Sequence, residues 1–161
     1  MEYYEQFGKN PRWRKRLIFS GVFILENMLH SVIDRNSEIS CKQWLVMTVA
    51  NAFPQSPDLT TLGNALGCSR QNIKKLALQL EKNGYIRLVK SEADARSLCI
   101  EITDKGKEFN YKNSAMGEAV HQQLFADFSE EDIDKYYELS VKMMHGIDRL
   151  DRYFEGEKNG K

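Results

Sequence analysis

Apolar residues recur at Ile18, Val22, Leu25, Leu29 and Val32, with Phe19, Phe23 and Met28 widening the stripe. Steps of three and four define one face of an α-helix, so the pattern predicts a long helix with a broad apolar side. It follows a short aromatic leader (Tyr3, Tyr4, Phe7) and Pro11. Ser40 stands as an N-cap before "CKQWLVMTVANAF", and Pro54 and Pro57 end this second helix. "DLTTLGNALG" is a short third helix closed by Gly67, and Ser69 caps a fourth that runs to Gly84. The pattern then changes period. In "YIRLVKSEADARSLCIEIT", Leu98, Ile100 and Ile102 alternate with Cys99 and Glu101, which predicts a β-hairpin with a polar tip at Ser91 to Asp94. A helix opening at Thr103 to Gly106 carries Phe109, Met116, Val120, Leu124 and Phe125 to about residue 126. Ser129 with Asp132 forms a capping box for a last helix reaching about Phe154, before a polar, frayed "EGEKNGK".

The expected fold is therefore mainly α with a small β-hairpin: two short helices meeting at Gly67 and Cys68, then the hairpin, form a winged helix-turn-helix. The first and last helices carry more apolar surface than a chain of this size uses in its own core. Pairing with a second copy would bury the surplus, which predicts a homodimer.

The charge balance narrows the partner. Lys plus Arg and Asp plus Glu both total 23 in the 161 residues, so no global field draws the chain to polyanions. The local balance differs. From Leu59 to Arg96 there are 7 basic residues and 3 acidic ones, whereas from Asp127 onward 10 acidic residues outnumber 6 basic ones. "RWRKRLIFSGVFIL" has the basic flank and apolar run of a signal peptide, but Glu26, Asn27 and His30 follow without a small-residue cleavage site. The run is also read as short of the ~20 residues that a membrane span needs, so a cytoplasmic protein with no membrane partner is expected.

At about 100° per residue, the fourth helix places Ile73, Leu76, Ala77 and Leu80 on one face and Gln71, Lys74, Lys75, Leu78 and Lys82 on the other. Amide and basic side chains are the types that read base edges and phosphates, and the helix start capped by Ser69 suits an anion. Ser69, Arg70, Gln71, Asn72, Lys74 and Lys75 are thus candidate contacts to double-stranded DNA, with the helix in a major groove. A solvated surface helix is the plain alternative; the short preceding helix, the Gly67 turn and the hairpin argue against it.

"LGNALGCSRQNIKKLALQLEKNGYI" followed by "DARSLCIEITDKG" resembles the MarR family of bacterial transcriptional regulators over roughly residues 18 to 154. The most specific part is Asp94-x-Arg96 followed by Thr103-x-x-Gly106. The resemblance implies that the hairpin is a wing, with Arg96 entering the minor groove and Asp94 steadying it; the plain reading is a salt bridge closing the hairpin. It further implies a single domain over 1–161, with a DNA-binding lobe over about 36–104 and dimerisation helices over about 11–35 and 105–154. The implied activity is that of a repressor on a pseudo-palindromic site, released by an aromatic effector. Two departures stand out. Ala95 and "KSEA" replace basic residues common in the family's wings, and Gly63 replaces a usual Ala.

Trp13, Phe19, Phe23, Trp44 and Phe53 are candidates to line an effector cleft, although aromatics at helical spacing more often form core. Cys41, in the first turn after Ser40, is a candidate redox thiol, because helix-end N–H groups lower a thiol pKa. Three widely spaced cysteines without a CxxC pair favour free thiols. His30, His121 and His145 lack metal-ligand spacing, so neither a cofactor nor an enzyme is expected. A thiol-responsive regulator and a winged helix that binds protein are the alternatives.

Overall fold

A computed structural model describes residues 2–91 and 96–159. The elements run α1 (Glu2–Gly8), α2 (Pro11–Asn36), α3 (Cys41–Ala52), α4 (Leu59–Ala65), α5 (Arg70–Lys82), β1 (Ile86–Lys90), β2 (Leu98–Ile102), α6 (Asp104–Leu124) and α7 (Glu130–Asn159). They fall into two compact units, one through Lys112 and one from Asn113 onward.

In the first unit, the boundaries have local causes that the sequence announces. Ser40 Oγ accepts from the Gln43 N–H at 3.3 Å while the Gln43 side chain accepts from the Ser40 N–H at 2.9 Å, a reciprocal capping box. Asp58 Oδ1 caps α4 by accepting from the N–H groups of Thr60 (2.9 Å) and Thr61 (2.7 Å). Ser69 Oγ caps α5 through the Asn72 N–H at 3.2 Å. The two turns that flank α5 need positive φ, 63° at Gly67 and 78° at Gly84, where a Cβ would be strained.

The core lies where α3, α4 and α5 meet the hairpin. Met47, Leu62, Ile73, Leu80, Ile86 and Ile100 are buried almost completely, each contributing roughly 1.5–3 kcal/mol of apolar burial. The hairpin is antiparallel in the register Ile86↔Ile102 and Leu88↔Ile100, which turns these four residues to the core side. An isolated bridge between Asp58 and Cys99 adds a short third segment at the edge of β2.

Three features depart from the sequence reading. The aromatic leader is a helix, α1, held by a hydrogen bond from Tyr4 Oη to the Leu17 carbonyl at 2.8 Å. By length and composition, α2 is long and apolar enough to cross a membrane. The reading cut the run short at Glu26, although the apolar positions resume beyond it. The polar residues within α2 have partners on α3: Glu26 lies 3.5 Å from Lys42 Nζ, and Asp34 Oδ1 accepts from the Cys41 N–H at 2.6 Å.

The third departure is in the second unit, where α7 continues past Phe154 to Asn159 rather than fraying. An i,i+4 bond from Tyr153 Oη to Glu157 Oε1 at 3.3 Å supports this last stretch. At its start the expected box is present: Ser129 Oγ accepts from the Asp132 N–H (3.2 Å) and Asp132 Oδ2 accepts from the Ser129 N–H (3.0 Å).

Two stability predictions follow from the first unit. A Cβ at Gly106 would lie 2.2 Å from the Tyr85 carbonyl oxygen and 2.7 Å from Ile102 Cγ2. Gly106→Ala is therefore expected to cost about 2–3 kcal/mol in denaturant unfolding; an unchanged midpoint would refute the close-packed corner. The Thr61 N–H above all, with the Thr60 N–H and Arg70, holds the Asp58 carboxyl below its ordinary range. A depressed carboxylate stabilises the fold above its unfolded pKa, and this contribution is lost as pH falls through the folded value. Asp58→Ala should cost about 1 kcal/mol at neutral pH, and the gap between variant and wild type should close as pH drops below about 4. A gap that stays constant with pH would show that the cap does not act through its charge.

Candidate nucleic-acid interface

α5 buries Ile73, Ala77 and Leu80 and exposes the opposite side. Gln71, Lys74, Lys75 and Lys82 are all exposed there, together with Leu78. Arg70 is exposed in the first turn, and its charge contributes to holding Asp58 ionised across the helix-turn-helix. The one acidic residue of the helix, Glu81, is half-buried, and its Oε1 accepts from the Leu88 N–H of β1 at 2.7 Å. The outward side of α5 is consequently basic and amide-bearing.

In the turn before β2, Arg96 is exposed. Its predicted partner Asp94 lies outside the described residues, as do Ala95 and most of the tip. On the hairpin's outer side Arg87 pairs with Glu101 at 3.0 Å, a cross-strand ion pair directly in register. Asn72 is placed differently from the other candidates. Although exposed, it lines a cleft of about 330 Å³ with Glu26 and His30 of α2, Lys42, Leu45 and Val46 of α3, and Cys68 of the turn.

The five aromatics do not gather in that cleft. Trp13 packs edge-on against Phe7 at 5.7 Å with Arg16 over its ring, and Phe19 and Phe23 form an exposed pair at 5.4 Å. Trp44 and Phe53 pack against the core of the first unit. Sequence reasoning therefore missed the residues that do form a cavity. A signal was available: Glu26 and His30, four apart, interrupt the apolar stripe of α2 on one side.

The reasoning for Cys41 needs correction. Cys41 is buried, and desolvation, then the Asp34 carboxylate, push its thiol above the ordinary value, against a smaller opposing pull from Lys42. The helix-end N–H that was expected to stabilise a thiolate is occupied by Asp34. Cys68 is half-buried and Cys99 buried; all three thiols are free.

No protein-family model matches the chain. Among characterised proteins, it is 27% identical over 150 residues to the transcriptional activatory protein BadR of Rhodopseudomonas palustris, covering 87% of this chain and 83% of BadR. It is 31% identical over 107 residues to the transcriptional repressor MprA of Escherichia coli, spanning 66% of this chain and 61% of MprA.

Solved structures share the fold. A MarR/EmrR family regulator from Acinetobacter sp. ADP1 superposes with a TM-score of 0.74 at 20% identity, over 84% of this chain and 97% of that one. Sco3205 of Streptomyces coelicolor, a MarR family regulator in complex with DNA, gives 0.73 at 21% identity, over 84% and 90%. PcaV of the same organism, in complex with its natural ligand, gives 0.66 at 19% identity, over 86% and 94%. The sequence relatives are regulators of transcription, and the chain has the fold of MarR family regulators, a helix-turn-helix followed by its hairpin.

Proposed function

We propose that this protein binds a pseudo-palindromic duplex site as a homodimer, with α5 of each copy in successive major grooves about 34 Å apart and Arg96 of each wing in a flanking minor groove. The observation that carries this reading is the outward side of α5, where Gln71, Lys74, Lys75 and Lys82 are exposed and the helix's only acid is turned into the wing. Gln71 offers bidentate contact to adenine, Leu78 an apolar contact to a thymine methyl, and Lys74, Lys75 and Arg70 bind phosphate or guanine. Ser69 fixes the helix start that faces the backbone. Arg96 gains at a narrow, strongly negative minor groove, and Asp94 is assigned to steady it. Asn72 sits at the margin, shared between the DNA side and the cleft.

The apolar sides of α2 and α7 support dimerisation. Phe19 on α2 and Tyr137 and Met144 on α7 are each more than 60% exposed, a surface that a second copy would bury. The assignment of residues 36–104 to the DNA-binding lobe, and of 11–35 and 105–154 to dimerisation helices, belongs to this reading, as does a cytoplasmic location. BadR is named as an activator and MprA as a repressor, so the position of the site relative to a promoter sets the direction of control. Occluding polymerase is the simplest outcome, and repression is the reading adopted here.

An aromatic acid is the effector that the family resemblance implies, and PcaV, which shares the fold, binds a natural ligand. In this chain the cleft beside Asn72, with Lys42 and His30 as donors over apolar Leu45 and Val46, is the place for it. A ligand there would act through its different affinity for two spacings of the recognition helices.

Fluorescence anisotropy on DNA from upstream of the protein's own gene, against scrambled DNA and across a salt series, tests the scheme. Arg96→Ala is expected to weaken binding roughly tenfold and make the salt slope shallower by about 1, and Gln71→Ala to lose selectivity by about 1–3 kcal/mol. Wild-type binding that is weak and equal on both DNAs would leave that operator reading without support. Aromatic carboxylic acids should release the DNA, and Lys42→Met should blunt the release; release undiminished in that variant would move the effector to another site.

A further inference from the structure

The recognition helix and the wing must reach neighbouring grooves at once, so their mutual position matters as much as their chemistry. Two sets of bonds join them. At the corner between α5 and β1, the Thr103 hydroxyl lies at 2.7 Å from the Gly84 carbonyl and 3.0 Å from that of Tyr85, and Lys105 Nζ donates to the Asn83 carbonyl at 2.8 Å. These hold the root of the hairpin. The second is the bond from the Leu88 N–H to Glu81 Oε1 at 2.7 Å, farther along the strand toward the tip.

β1 pairs with β2 on one edge only. The Leu88 N–H points to the other edge, where no strand among the described residues accepts it, and the Glu81 carboxylate takes that role. A charge-assisted bond to a backbone N–H is short and directional. A carboxylate on a DNA-facing helix would repel phosphate; here it is withdrawn into a structural bond instead. Each residue of a strand adds about 3.3 Å, so a small change of angle at Leu88 grows toward the tip, where Arg96 lies.

We propose that Glu81 is a positioning residue for DNA recognition, fixing the wing relative to α5 so that Arg96 and Gln71 engage the same site together. The inference rests on the DNA-binding reading above. It separates two properties of one side chain. Glu81→Gln removes the charge but keeps an acceptor for the Leu88 N–H, whereas Glu81→Met removes both at similar length. Any general gain in DNA affinity from losing a negative charge is common to both variants, and only the bond distinguishes them.

The test is a double-mutant cycle with Arg96→Ala, measured by anisotropy on a duplex selected from random DNA by the wild-type protein, with a scrambled duplex and thermal unfolding alongside. In wild type and Glu81→Gln, Arg96→Ala should weaken binding to the selected duplex roughly tenfold; in Glu81→Met it should cost less than about threefold, because the wing no longer delivers Arg96 to its groove. A purely structural role would lower the unfolding temperature and leave the cost of Arg96→Ala unchanged. An equal cost in all three backgrounds overturns the inference alone, and so does Glu81→Gln behaving as Glu81→Met. A wild type that shows no preference for the selected duplex, or no loss with Arg96→Ala, overturns the DNA-binding reading and this inference with it.

Discussion

The carbonyl of Tyr85 is the point on which the winged helix-turn-helix turns. It accepts from the Thr103 N–H at 3.1 Å and lies within 3.0 Å of the Thr103 hydroxyl, while Gly106 approaches so closely that a methyl group has no room. Around it meet the end of α5, the start of β1 and the start of α6. The Tyr85 ring is buried against Phe109 of α6 at 5.1 Å, its hydroxyl donates to Glu38 at 2.9 Å, and Lys105 lies over its face at 4.5 Å. Backbone, hydroxyl, ring and cation all converge there, so the end of α5, the wing root and the first turns of α6 keep a fixed relation. Thr103-x-x-Gly106 is explained by this corner: the threonine supplies a hydroxyl for the carbonyls and the cap, and the glycine supplies the absence of a side chain.

A second economy concerns charge. The chain as a whole is neutral, yet the proposed binding of a polyanion needs local positive potential. The first unit achieves this by pairing or withdrawing its acids where the basic side chains are needed. Asp58 is consumed by the cap of α4, Glu101 by Arg87 and Glu81 by the backbone of β1, while the lysines of α5 stay exposed. Formal charge counted along the sequence gives the sign of this surface, and the hydrogen bonds give its location.

The cleft beside α5 is where the proposed effector would act. Its lining joins α2 and α3 to the turn at Cys68 and the first turns of α5. Glu26, His30 and Lys42 make it polar at one side, and Leu45, Val46 and Leu76 apolar at the other. In the proposed scheme, a molecule bound in a cavity bordered by α5 would have a direct mechanical purchase on that helix.

Helix type and boundaries were legible in the sequence, because caps, positive-φ glycines and the period of apolar residues are local signals. Ser40 with Gln43, Asp58, Ser69 and Gly67 each act within a few residues of their own position, and the two sides of α5 follow from helical geometry alone. The MarR-like fold was legible for the same reason, carried by a contiguous stretch from the third helix to the wing. The helix formed by the leader was missed because a hydroxyl bond from Tyr4 to Leu17 spans thirteen positions. The raised thiol of Cys41 was missed because it depends on Asp34 and on burial, neither readable from a helix cap. Likewise only the tertiary structure decided that the aromatics separate between core and surface, that Asn72 lines a cleft with Glu26 and His30, and that the single acid of α5 serves the wing. Sequence by itself determined what each element is and which side of it is apolar, since those depend on neighbours in the chain; what each polar side chain does depends on partners brought together by packing.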